Sequence, residues 1–149
     1  MTEELKDIYF KNILVAVDDS DDAILAFKYA IHRAIKDNVG LNLVSILEKD
    51  DMNVFQALSK DFVHGKREDL EKHLREYKQI ANDAGVKKVH SIIATGDNPG
   101  QVIVEEVIPR VHPDLLIIGS KSKKGIAKRF GSQAAYMAKY SPVSVLVVR

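Results

Sequence analysis

Short apolar runs alternate along this chain with longer stretches in which apolar residues recur at helical spacing. Asn12 to Val17 (NILVAV) is almost continuously apolar, the pattern of a strand buried on both faces. From Asp21 to Asp37, Ile24, Phe27, Ile31 and Ala34 predict a helix with one apolar face. Ser20 suits its N-cap, Asp21 and Asp22 suit the positive end of its dipole, and Asn38 to Gly40 is a helix stop. A second strand is predicted over Leu41 to Leu47. The pattern then loosens: Glu48 to Gly65 carries Val54, Phe55, Leu58 and Phe62 and suits a short helix or a covering loop. A long helix is predicted over Lys66 to Ala84, with Leu70, Leu74, Tyr77, Ala81 and Ala84 as its stripe and Gly85 as its stop. The third strand is Val89 to Ala94. The turn TGDNPG leads into a helix through Val102, Ile103, Val107 and Ile108, and Pro109 and Pro113 bracket its end. The fourth strand is Asp114 to Gly119, a short helix covers Ser132 to Tyr140, and the fifth strand is Val143 to Val148.

Strands alternating with helices predict an α/β fold: an open five-stranded parallel sheet with helices on both faces. The length, 149 residues, suits one domain over residues 1–149. In such sheets ligands sit outside the carboxyl ends of the strands, where the strand order reverses. The loops after strands 1 and 4, which hold Asp18 and Gly119, are natural partners there.

Composition narrows the chemistry. The chain has no cysteine, which excludes disulfides, thiol catalysis and thiolate metal sites. The opening MTEELKDIYF is acidic and lacks an apolar core, so no signal peptide is expected. No apolar run approaches the roughly 20 residues of a membrane helix, and a cytoplasmic location is the default. The net charge is +1, so any electrostatic preference is local. His32, His64, His73, His90 and His112 show no metal-pair spacing with a nearby acid. Ser20, Ser45 and Ser120 lack the context of a nucleophile elbow. The run KREDLEKHLREYK reads as a solvated helix face with i,i+4 pairs.

The strongest chemical signal is Ile117 to Ala135 (IIGSKSKKGIAKRFGSQAA). A glycine leaves the fourth strand and Gly131-Ser132 opens the next helix, so backbone N–H groups and the helix dipole favour an anion there. Lys121, Lys123, Lys124, Lys128 and Arg129 raise the local positive potential. A flexible solvated loop with lysines for solubility is the plainer alternative. No glycine-lysine-serine/threonine triplet opens the helix, so the segment is not a P-loop. Nucleic acid is a minor alternative, because only Phe130 supplies an aromatic. Asp18-Asp19 also matches the acid pair of phosphoacceptor receiver domains. Those domains need an aspartate ending strand 3 and a lysine after strand 5, and this chain has neither.

The order of these pieces resembles the universal stress proteins over nearly the full length. The matching features are the first strand ending in Asp18, Gly96-Asp97 with Pro99 after strand 3, and the DLLIIGS exit of strand 4. Gly131-Ser132 before a helix and the terminal SPVSVLVVR complete the match. The resemblance implies a Rossmann-like, adenine nucleotide alpha hydrolase-like sheet with strand order 3-2-1-4-5. It also implies a homodimer paired through strand 5, Val143 to Val148, whose open edge is otherwise a pairing hazard. Met1 to Phe10 or a loop covering that edge is the alternative.

In the ATP-binding branch of that family, the loop reads glycine, two residues, glycine, nine residues, glycine, then serine or threonine. Gly119 and Gly131-Ser132 match its ends. Ser122 stands at the middle glycine, and only eight residues, Lys123 to Phe130, follow it. Gly125 can take over part of the middle role. The resemblance implies ATP as ligand, with Mg²⁺ held only through its phosphates. Asp18 would sit near the ribose, Ala16 and Val17 along the adenine edge, and Ile46 and Ile118 as walls of the base. Lys121, Ser122, Gly131, Ser132 and Gln133 would line the phosphates. Asp18 is equally suited to a capping or turn role. The implied output is regulatory, acting in stress response, with no dedicated enzymatic activity. A dimeric interaction module without nucleotide is the competing reading, favoured by Ser122 and the shortened loop. An adenylyl-transferring enzyme lacks a histidine-rich motif here.

Overall fold

The computed structural model describes residues 9–18, 20–48, 53–120 and 131–149. Five parallel strands form one sheet in the order β3-β2-β1-β4-β5. They are β1 (Asn12–Ala16), β2 (Gly40–Leu47), β3 (Val89–Thr95), β4 (Leu115–Gly119) and β5 (Ser144–Val148). The helices are α1 (Asp21–Asp37), α2 (Val54–Leu58), α3 (Lys60–Ala84), α4 (Pro99–Val102), α5 (Ile108–Val111) and α6 (Ser132–Tyr140). A π-helical segment, Ile103–Val107, joins α4 to α5.

Alternation along the central strands feeds two cores. Ile13, Val15 and Val17, with Ile117, pack against Phe27, Ala30 and Ala34 of α1 and Leu74 and Ala81 of α3. Leu14, Val44, Leu116 and Ile118 point the other way, against Val102, Ile103, Val107, Ala134 and Met137. Both faces of β1 and β4 are therefore dry, which is why their sequences read as unbroken apolar runs. Strand order reverses at β1, whose neighbours are β2 and β4. The loops after β1 and β4 consequently face one crevice, as the sequence predicts.

Several predicted punctuation marks act as expected. The Ser20 hydroxyl accepts from the Ala23 N–H at 3.2 Å and caps α1. Asn38 takes the left-handed conformation at the other end of that helix, with φ 53°. Gly85 follows α3 with φ 115°.

Other boundaries differ. The long helix starts at Lys60 rather than Lys66 and runs through Gly65. A glycine inside a helix costs about 1 kcal/mol relative to alanine. Here it is flanked by the i,i+4 pairs His64–Glu68 (3.0 Å) and Arg67–Glu71 (3.5 Å) and tethered by Ser59, whose carbonyl accepts from the Val63 N–H. The end bracketed by Pro109 and Pro113 falls where expected: the helix passes through Pro109 and stops at Val111, before His112 turns left-handed at φ 55°. Proline lacks the N–H for the i−4 carbonyl and its ring crowds that carbonyl; the wide π turn just before it opens the ladder at that point. The strands shift by one residue: Val17 falls outside β1 yet still donates to the Val44 carbonyl at 2.9 Å, and Asp114 and Val143 lie just before β4 and β5.

Candidate functional site

A crevice of about 320 Å³ opens at the carboxyl ends of β1, β2 and β4. That volume is at the lower end of the about 300–1,000 Å³ of typical small-molecule pockets. Because the crevice straddles the sheet, its two walls differ in chemistry. On the α6 side, Ile46, Ile103, Ile118, Ala134 and Met137 make an apolar wall, with Pro99 at its rim. On the α3 side stand Lys66, Asp69, Leu70, His73 and Tyr77, with Glu48 leaving β2.

Of the residues predicted for the site, Ala16, Val17, Asp18, Ile46, Ile118, Gly119 and Gln133 all line this one crevice. Gly131 and Ser132 begin α6 next to it but are not part of its lining. Lys121 and Ser122 lie outside the described residues, as do Asp19 and the rest of the basic loop through Phe130.

Local hydrogen bonds fix the rim. The Asp18 carboxylate accepts from the Ser20 N–H at 2.7 Å, closing an Asx turn into α1. Asp18 thus fulfils the turn role open to it while standing among the residues that line the crevice. Its carbonyl accepts from the Tyr77 hydroxyl at 3.4 Å, and Tyr77 meets Phe27 edge-on at 4.9 Å. These contacts hold α3 against the end of β1. The buried Ser45 hydroxyl donates to the Val17 carbonyl at 2.8 Å.

The ends of the glycine-bounded loop are tied together. The Gly131 N–H donates to the Ser120 carbonyl at 2.7 Å, and the Ser120 N–H donates to the Val148 carbonyl at 2.9 Å. The buried Ser120 hydroxyl donates to the Asp22 carboxylate. The Gly131 N–H is therefore engaged within the chain, which leaves α6's next N–H groups as the donors for an anion. Gly131 caps α6 without a side-chain hydrogen bond.

Gly119 has a reason for being glycine that the sequence does not display. A Cβ there would lie 2.7 Å from the Ala23 nitrogen and 2.7 Å from the Asp22 carbonyl carbon. The first turn of α1 occupies the space, so this glycine permits helix–strand packing. Gln133 is held in a related way: its carboxamide oxygen accepts from the Gly100 N–H at 2.7 Å, bridging the turn after β3 to α6. Gly100 leaves the room for it, since a Cβ there would be 2.9 Å from that oxygen.

Sequence reasoning missed the α3 wall. Lys66, Asp69 and His73 belong to the run read as a solvated face, but in the structure they line the crevice. The spacing puts positions 66, 69, 70, 73 and 77 on one helical stripe beside the buried Leu74 and Ala81, a pattern that suits a boundary with water as well as one with a cavity. Among the described residues, no group of three or more histidine and carboxylate side chains is arranged to hold a metal ion. No helix among them is long and apolar enough to cross a membrane.

Known proteins share this fold. The profile of the universal stress protein family matches residues 9–149. A Staphylococcus aureus protein (strain USA300) named for that family is 30% identical over 144 residues, covering 95% of this chain and 86% of the relative. The solved structure of universal stress protein UspA from Lactobacillus plantarum superposes with a TM-score of 0.84 at 20% identity, covering 96% of this chain and 100% of that one. A universal stress protein solved in complex with cAMP superposes with a TM-score of 0.66 at 25% identity, covering 94% of this chain and 97% of that one.

Proposed function

The chain belongs to the universal stress protein family, and from that premise we propose that it is a regulatory protein that binds an adenine nucleotide in the crevice at the ends of β1, β2 and β4. The observation that carries this reading is the convergence of Ala16, Val17, Asp18, Ile46, Ile118, Gly119 and Gln133, drawn from distant parts of the chain, on one cavity. An adenine ring needs a flat apolar slot with polar groups at its edges, and the wall of Ile46, Ile118 and Met137 matches that need. The related protein solved with cAMP adds support for an adenine nucleotide as the ligand class. ATP is the nucleotide proposed, with Mg²⁺ carried on its phosphates and the phosphates directed to the first turn of α6. The protein acts in the cytoplasm in stress response, as a homodimer paired through the β5 edge, and its output is a conformation or a partner contact rather than a reaction.

The test is whether protein purified from its host carries nucleotide, read from its absorbance ratio and from mass spectrometry of a denatured extract. Apo protein is then titrated with millimolar ATP and Mg²⁺ while its melting temperature is followed. A clean apo sample with no thermal shift sinks this reading. That result favours the second one, a dimeric interaction module with an empty crevice. Its specific support is Ser122 in place of the middle glycine and a loop one residue short of the ATP-binding pattern.

A further inference from the structure

The α3 wall of the crevice has a chemistry of its own. Lys66, Asp69, His73 and Tyr77 succeed one another at i+3, i+4 and i+4, so they form one stripe about 16 Å long facing the cavity. Asp18 and Glu48 border the same space from the strand ends. Carboxylates only accept hydrogen bonds at neutral pH, and an ammonium only donates. A phosphoryl group wants donors alone and is repelled by Asp18, Glu48 and Asp69. An adenine face wants apolar contact, which the opposite wall supplies. A wall that interleaves acceptors with donors suits hydroxyl groups, each of which does both.

The anchoring of α3 fits this role. The Tyr77 hydroxyl reaches the Asp18 carbonyl at 3.4 Å, so the stripe is registered against the end of β1. With the base on the α6 side and the phosphates at the start of α6, the sugar is the part of a nucleotide that faces α3.

We infer that the α3 wall is a hydroxyl-reading subsite, in which Asp69 and His73 hydrogen-bond the ribose hydroxyls of the bound nucleotide. This rests on the nucleotide reading above and deepens it: the ligand class is a ribonucleotide rather than a deoxyribonucleotide. A carboxylate bound to a ribose hydroxyl is a recurrent solution in nucleotide-binding α/β folds. A site built to bond a hydroxyl discriminates against the analogue lacking it, because its polar groups are left without that partner.

The experiment is isothermal titration of the full-length protein with AMP, 2′-deoxy-AMP and 3′-deoxy-AMP, repeated on Asp69→Ala and His73→Ala. Both residues are exposed, and a thermal melt of each variant checks that the fold is intact. The wild type is expected to bind AMP about tenfold more tightly than at least one deoxy analogue, the worth of one hydrogen bond to a charged group. Asp69→Ala is expected to lose about that factor for AMP and nothing further for that analogue. His73→Ala is expected to show the same pattern to a smaller degree. Equal affinity of the wild type for all three ligands overturns the inference, as does equal weakening of all three by both variants, and either result leaves nucleotide binding standing. Absence of binding by all three overturns the subsite, and the nucleotide reading falls with it only where ATP with Mg²⁺ also gives no thermal shift.

Discussion

Gly119 and Gly131 bound the same loop, and the family pattern treats them alike, but the structure uses them differently. At Gly119 the missing side chain is space already filled by the backbone of Asp22 and Ala23, 2.7 Å from where a Cβ would be. At Gly131 the backbone sits at φ −66° and ψ 147°, a conformation open to any residue, and its N–H closes the loop onto Ser120. The first glycine is required by packing within the fold. The backbone conformation of the second does not demand glycine, and under the proposed nucleotide reading the absent side chain leaves room for phosphates at the start of α6. A motif can thus contain one glycine that packing requires and one whose backbone conformation does not require it, with nothing in the sequence to separate them.

The sharpest way to break this comparison is Gly119→Ala. The added Cβ meets backbone atoms that can move only if α1 moves, so a loss of about 3 kcal/mol is expected in urea unfolding. A loss below about 1 kcal/mol would show that α1 slides away freely and that Gly119 is not architectural. Gly100→Ala is the next largest. Its Cβ would lie 2.9 Å from the Gln133 side-chain oxygen and 3.0 Å from the Gln133 carbonyl. A side chain can yield where backbone cannot, so about 1–2 kcal/mol is expected, together with loss of the bridge between the β3 turn and α6. No change in the melting curve would mean that this bridge contributes nothing.

Gly131→Val probes the other end. Stability should hold within about 1 kcal/mol, because the backbone already lies in a region valine favours. Nucleotide affinity should fall at least about tenfold, because a branched side chain then crowds the N–H groups that open α6. Unchanged affinity in titration calorimetry would move the phosphates away from α6. Gly131→Ser is the mildest test. Serine is at least as good an N-cap as glycine, so a gain of up to about 0.5 kcal/mol is expected, and a clear loss would contradict an unconstrained Gly131.

Much of the architecture was legible before any coordinates. The dry central strands, the capping of α1 by Ser20 and Asn38, and the span of α6 all follow from local pattern. The positions of Asp18 and Gly119 at the strand-order reversal follow from topology. The start of α3 is not legible because Gly65 and the loose pattern before it suggest a break, whereas in the fold i,i+4 side-chain contacts and the tether at Ser59 flank Gly65 within one continuous helix. Pro109 and Pro113 do bracket the end of α5, but the π turn before Pro109 leaves no mark in hydrophobic periodicity.

The larger omission was the α3 wall, and its cause is general. Periodicity reports which face of a helix is apolar, and it cannot say whether the polar face looks onto water or onto a cavity. Lys66, Asp69 and His73 read identically in both cases. By itself the sequence determined the strands, the helices and the end of the sheet at which a ligand would sit, because burial and capping are written in neighbouring residues. Tertiary structure alone decided that α3 closes the crevice, that Gly119 makes room for α1 and that Gln133 is held by Gly100. Each of those facts depends on what stands across a gap from residues far away in the chain.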